Sequence, residues 1–197
     1  MIFQFNIAHT IQASAVLLKT EPAQRMSRLR LLKLLYIADR ESLVERARPI
    51  TGDNPAAMDN GPVLPTTYDL IKGEDFLAPQ WQQYLKNEGR DVVLVADPGV
   101  GDLSRREIAK LHEVAWRFQN SSDWVVAEAT HTFPEWAKNQ PPKGSSRPIP
   151  MEDVLEATGL LQLRDKLIAD TLAEAAAGRL FASAQCHARG RHVPYPR

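Results

Sequence analysis

The residues able to do chemistry in this 197-residue chain are few and scattered. His131 and Glu135 stand four apart, the spacing at which two metal ligands share a helix face, but Pro134 breaks the helix that such a pair needs. His187 and His192 lie five apart in a tail containing Gly190, Pro194 and Pro196, which fixes no ligand geometry. No metal and no other cofactor is expected. The lone Cys186 sits among Ala and Ser without a partner base, so it reads as a small buried residue rather than a nucleophile. Gly99-Val100-Gly101 lacks the third glycine and the Lys-Ser/Thr ending of a phosphate loop and reads as a turn. Asp39 with Glu41, and Glu74 with Asp75, are neighbouring acids of the kind that keep a surface wet.

What remains is a polar group beyond the most apolar segment of the chain: Asp39, Arg40, Arg48, Thr51, Asp53 and the Gly61-Pro62 turn. It has two readings. One is structural punctuation with an Asp39-to-Arg clamp, worth under about 1 kcal/mol if exposed. The other is an enzyme site grouping Asp39, Arg40 and Asp53 with His131. No nucleophile, base and orienting group fall into an evident triad, so an enzyme is not expected.

The elements that must position these residues are mostly helices. Ile7, Ile11, Ala15 and Leu18 make one amphipathic face, with Asn6 as N-cap and Pro22 beyond the end. From Ser27, a second N-cap, residues 29–44 are apolar almost all round, which marks a central helix that emerges near Pro49 in a charged second half. Residues 49–65 hold too many Gly and Pro for a regular element and read as an ordered loop or short extended segment. Pro65 is placed as the first residue of a short helix that Gly73 ends. The runs 81–86 and 91–96 predict one β-hairpin around Asn87-Glu88-Gly89-Arg90. Ser104 and Glu107 form a capping-box pattern at the head of a helix over 104–120, and Ser122 caps a further helix that stops before Pro134. Residues 138–150 read as a long surface loop or a hinge, followed by a helix from Met151 to Thr158 that Gly159 stops and a last long helix striped by Leu160, Leu163, Leu167, Ile168 and Leu172. The expected fold is mainly α, a helical domain over 1–175 with one small β-hairpin. Residues 176–197 follow as a basic helix end and tail, without any acid beyond Glu174.

Composition narrows the function classes. With 24 Lys and Arg against 24 Asp and Glu the net charge is zero, which removes the simplest case for a nucleic-acid protein. A single cysteine forbids an internal disulfide and suits a reducing compartment, so a cytoplasmic location is expected. No Lys or Arg precedes Lys19, and polar residues interrupt the first apolar run, so it does not read as a signal peptide. No apolar stretch approaches the roughly 18–20 residues that span a bilayer, and no membrane partner is expected.

The order of the short motifs is more telling than any one of them. Lys33-Leu34-Leu35-Tyr36-Ile37-Ala38-Asp39-Arg40, then Arg48-Pro49-Ile50-Thr51-Gly52-Asp53, then Gly61-Pro62-Val63 and Tyr68-Asp69-Leu70-Ile71 resemble the Panacea antitoxin domain, also called the SocA-like domain. The likeness continues through Leu103-Ser104, through His131, Pro134 and Trp136, and through Ile149-Pro150-Met151-Glu152-Asp153, over roughly residues 5–160. It implies a mainly helical antitoxin of a bacterial or phage toxin–antitoxin pair that neutralises its protein toxin by direct binding. An adaptor delivering the toxin to a protease is the related version. A second copy of the chain and operator DNA, in an autoregulatory role, stay open as partners.

Neutralisation by binding needs a surface with a few dominant anchors, which Arg, Tyr and Trp usually supply. Exposed members among Arg40, Arg48, Tyr68, Trp81, Tyr84 and Trp136 are the candidates, beside the polar group at Asp39, Thr51, Asp53, Gly61 and Pro62. Trp116 and Trp124 are expected in the core. Residues 74–96 and the tail after about 175 match nothing diagnostic in the family.

Overall fold

Asn6 accepts a hydrogen bond from His9 N and Ser27 from Arg30 N, and these two caps open the helices on which the rest is built. The computed structural model of the chain describes the backbone of residues 2–189 and the side chains of residues 2–177. The first half runs α1 (Ile7–Leu18), β1 (Arg25–Ser27), α2 (Arg28–Arg46), β2 (Ala56–Met58), β3 (Gly61–Val63), α3 (Pro65–Lys72), α4 (Ala78–Trp81), β4 (Leu85–Glu88) and β5 (Asp91–Leu94). The second runs α5 (Arg105–Arg117), α6 (Asp123–His131), α7 (Pro134–Lys138), β6 (Arg147–Pro148), α8 (Met151–Ala157) and α9 (Arg164–Arg189), with a 3₁₀ turn at Leu161–Leu163.

Helix α2 is the axis of the fold, with α1, α5, α6, α3 and the strands β1, β3 and β5 packed around it. Leu31, Leu34, Leu35 and Ile37 are almost wholly buried, as an all-round apolar helix must be. The main core joins these to Leu17, Leu18, Trp81, Leu85, Leu111 and Val126. A second, smaller core gathers Ile2 and Phe3 with Leu43, Trp136, Val154, Leu155 and Leu167. It docks the N-terminal segment and the start of α9 on the far end of α2.

The strands form two antiparallel three-stranded sheets rather than one hairpin. A hairpin is present as β4–β5, but its first strand is Leu85–Glu88 rather than 81–86, because Trp81 closes the turn of α4 and Asn87 and Glu88 pair with β5, and β1 adds to its edge through Arg25 opposite Val93. In the second sheet β2 pairs with β3 and with β6, so the Gly- and Pro-rich stretch holds two strands and the expected surface loop at 138–150 contributes a third. Gly61 takes φ +91, and a Cβ there would collide with the Thr130 side chain, so only glycine lets β3 lie this close to α6.

Other boundaries follow the local chemistry. Ser104 and Glu107 make both halves of the capping box, and Pro65 opens α3, which ends at Gly73 in the left-handed region. Pro134 ends one helix and starts the next, placing His131 and Glu135 on different helices. The expected domain boundary at residue 175 falls inside α9. The reading of Cys186 as buried and of residues 190–197 as a basic tail lies outside the described residues.

Candidate functional site

Asp39, deep in α2, organises the loop that follows that helix. Its Oδ1 accepts from Ile50 N and Thr51 N, both at 2.9 Å, and its Oδ2 from the Thr51 hydroxyl. Thr51 Oγ1 in turn accepts from Asp53 N at 3.1 Å. Asp53 takes Asn54 N on Oδ1 at 2.9 Å and Thr67 N and Oγ1 on Oδ2 at 2.8 and 3.0 Å, with Thr66 N at 3.4 Å. Leu64, at the N-cap position of α3, has no side-chain bond to offer. Asp53 therefore caps that helix from twelve residues before its first residue, Pro65, satisfying amides that would otherwise be orphaned.

The relay is internal. Asp39, Thr51 and Asp53 are all buried, and among the described residues none of them meets an arginine, so the expected Asp39-to-Arg clamp is not made there. Burial pushes the Asp39 carboxyl up to about 7 against the pull of its three donors, and burial raises Asp53 as well. The cavity shared by Tyr36, Asp39, Arg40 and Asp53 measures about 20 Å³, room for about one water. Asp53 also borders a surface groove of about 450 Å³ beside Pro148–Glu152, but its oxygens are already taken by the donors of α3 and Asn54.

Arg40 turns to a different partner. Its Nε donates to Glu135 Oε1 at 2.7 Å, and its guanidinium carbon lies 4.4 Å from the centre of the Phe133 ring. The Tyr36 hydroxyl donates to the same carboxylate oxygen at 2.9 Å, and burial together with that carboxylate pushes the phenol well above its usual range. His131 stacks on Trp136, with ring centres 4.3 Å apart, and the Trp136 indole donates to Met58 O at 3.0 Å. The proposed grouping of Asp39, Arg40, Asp53 and His131 therefore separates into a loop relay, an Arg–Glu–Tyr cluster and an aromatic stack. Among the described residues no group of three or more His, Cys, Asp or Glu is placed to hold a metal ion.

The remaining candidate anchors divide by exposure. Trp81 and Trp136 are 1% and 7% exposed, so neither is an exposed member of the anchor set, and their place among the partner-binding candidates is corrected. Trp81 lies in a single helical turn, too short to show which face is buried. Arg48 is exposed and paired with Glu174 on α9. Tyr68 and Tyr84 are half-buried. Gly61 and Pro62 are buried, and Pro62 O accepts from Lys33 Nζ at 2.5 Å.

Trp116 and Trp124, expected in the core, are instead 71% and 62% exposed. They flank the corner between α5 and α6, which Arg30 holds to α2 by donating to Phe118 O and Ser121 O, each at 2.8 Å. Trp116 borders a groove of about 700 Å³ with Thr20, Glu21, His112 and Glu113. Trp124 borders another of about 430 Å³, whose walls include Arg28, Leu32, Lys33, Asp59, Tyr68 and Arg90.

Lys33 is the least expected member of this surface. Only 3% of the residue is exposed, and burial lowers its amine from the ordinary 10.5 to about 7. The unfolded chain keeps that proton to about 10.5, whereas the folded chain releases it near 7, so folding is disfavoured by the charge at low pH. Stability should rise between pH 7 and 10, by up to about 1.4 kcal/mol per pH unit. Lys33→Met should flatten that rise, and denaturation midpoints of both proteins across the range measure it.

No helix among the described residues is long and apolar enough to cross a membrane. No curated protein and no solved structure matches the chain. One family model does, that of the antitoxin SocA-like, Panacea domain, over residues 31–137. That span starts in α2 and ends in α7, and so contains the Asp39 relay, the Arg40–Glu135 pair, the β2–β3 hairpin and both exposed tryptophans. Covering more than half of the chain, the match makes this protein a member of the SocA-like, Panacea-domain antitoxin family.

Proposed function

We infer that the protein neutralises a cognate protein toxin by binding it directly, as a non-catalytic antitoxin. Family membership over residues 31–137 carries the reading. The distribution of side chains supports it. The buried acids of the matched region are occupied with internal donors, while two large aromatic side chains of the same region stand in solvent beside open grooves. Exposed tryptophans next to grooves are the usual anchors of a protein interface, since a few such residues supply most of the binding energy. Such a mechanism needs no nucleophile or proton shuttle, and a cytoplasmic location beside the target fits it.

Co-expression with the product of the adjacent reading frame tests the reading. Restored growth together with a co-purified complex is the expected result. Restored growth with a shortened toxin half-life and no stable complex would replace occlusion by delivery to a protease. Toxicity unrelieved by this protein, with no complex formed, would overturn the antitoxin reading itself.

A further inference from the structure

The geometry points to the groove between the start of α2, the β2–β3 turn and Trp124 as the surface that takes the toxin, through a segment bearing a carboxylate beside a large apolar side chain. This inference rests on the antitoxin reading and adds to it the place and the chemistry of contact.

Three cations line that groove: Arg28, Lys33 and Arg90. Among the described residues none of the three has an acidic partner, whereas other cations of α2 do: Arg30 pairs with Glu21, Arg40 with Glu135 and Arg46 with Glu107. Lys33 is the telling one. Its ammonium has three donors and spends one, on Pro62 O, in a position that is 3% exposed. A buried cation without a counter-charge is costly to the free protein. A carboxylate entering the groove would supply that counter-charge in a desolvated place.

The rest of the lining selects the carrier of the carboxylate. Asp59, the acid of the wall, already accepts from Gly144 N at 2.8 Å. Leu29, Leu32, Met58 and Val63 make much of the wall apolar, and Tyr68 and the exposed Trp124 add aromatic faces. At about 430 Å³ the groove holds one or two side chains of a partner rather than a whole ligand. An acidic and apolar protein segment matches this mixture. A nucleic-acid backbone matches it less well, because the chain has zero net charge and the wall contains an acid and many carbons.

The test compares binding of the adjacent-frame toxin, by titration and by growth rescue, across four variants of the full chain. Arg28→Glu with Arg90→Glu should weaken binding by about 100-fold. Trp124→Ala should weaken it by about 30-fold. All three positions reach the surface, so these chains should fold like the parent. Lys33→Met should weaken binding by about 30-fold while leaving the melting temperature unchanged or higher at pH 6, a combination that a purely structural lysine would not give. Arg105→Glu with Arg106→Glu makes the same charge change at the other end of α2, roughly 27 Å away along the helix axis, and should leave affinity within about threefold.

Full binding and rescue by the groove variants would overturn the groove while leaving the antitoxin reading intact. Failure of the parent protein to bind or rescue would remove both. Loss of salt-dependent binding to a duplex from upstream of the gene, with toxin affinity unchanged, would make the groove a nucleic-acid site and overturn the proposal.

Discussion

Asp39→Ala should lose about 3–6 kcal/mol of folding stability, enough to leave much of a typical domain unfolded. The substitution orphans Ile50 N, Thr51 N and the Thr51 hydroxyl, all buried, and each stranded donor costs roughly 1–3 kcal/mol. The damage spreads along the relay. Thr51 loses the bond that orients it toward Asp53 N, and Asp53 is the group that caps α3. Asp39→Asn is the informative comparison, because its amide oxygen still accepts the two backbone amides and its NH₂ can donate to Thr51 Oγ1. It should cost under about 2 kcal/mol. Urea denaturation of the three proteins measures this, and an Ala variant within about 1 kcal/mol of the parent would show that the relay does not hold the loop.

The same carboxyl gives the comparison a pH signature. Held near 7 in the fold and near 3.8 when unfolded, Asp39 keeps its proton in the native state where the denatured chain has lost it. Its contribution to stability is therefore largest below about pH 4, falls as pH rises, and is flat above about 7. Asp39→Asn removes that fall. Lys33 acts in the opposite direction above pH 7, so together the two groups put the least favourable pH for folding near neutrality.

Local signals in the sequence carried the main helices because most of their ends are decided by neighbours in the chain, α3 being the exception that takes its cap from Asp53. Asn6, Ser27, Ser104 and Ser122 each cap the helix they precede, and Pro65 and Gly73 bound α3. The second sheet was hidden because β2, β3 and β6 are two or three residues long, too short for alternation to show, and β6 pairs some 90 residues away from β2. The sequence shows the relay residues but not their bonds, since what joins Asp39 to Thr51 and Asp53 is the path of the loop. In the sequence Glu135 reads only as a metal ligand, because its pairing with Arg40 spans 95 residues. The tryptophans are different, because periodicity does place Trp116. Ile108, Leu111 and Ala115 form the inner stripe of α5, and the next residue turns about 100° away from it. Residue type argued for the core and helical phase argued for solvent, and phase prevailed.

Glu135→Ala should cost about 3–5 kcal/mol, for a reason that also bears on Arg40 as an anchor. The carboxylate side chain is wholly buried and holds the mostly buried Arg40 guanidinium and the Tyr36 hydroxyl. Removing it leaves a cation in a place built for a pair, and an uncompensated buried charge costs more than the pair contributes. Replacing the whole set should cost far less. Tyr36→Phe, Arg40→Met and Glu135→Leu in one chain remove every polar partner together and should fold within about 2 kcal/mol of the parent. A triple variant as damaged as Glu135→Ala would mean that the cluster stabilises the fold outright. The triple variant also separates the two roles of Arg40. An arginine that anchors the toxin would take neutralisation with it even in a well-folded chain, whereas one that serves only to join α2 to α7 leaves growth rescue intact. The groove at Lys33 and Trp124 predicts the second result, because Arg40 spends its charge on Glu135 and lines a different cavity.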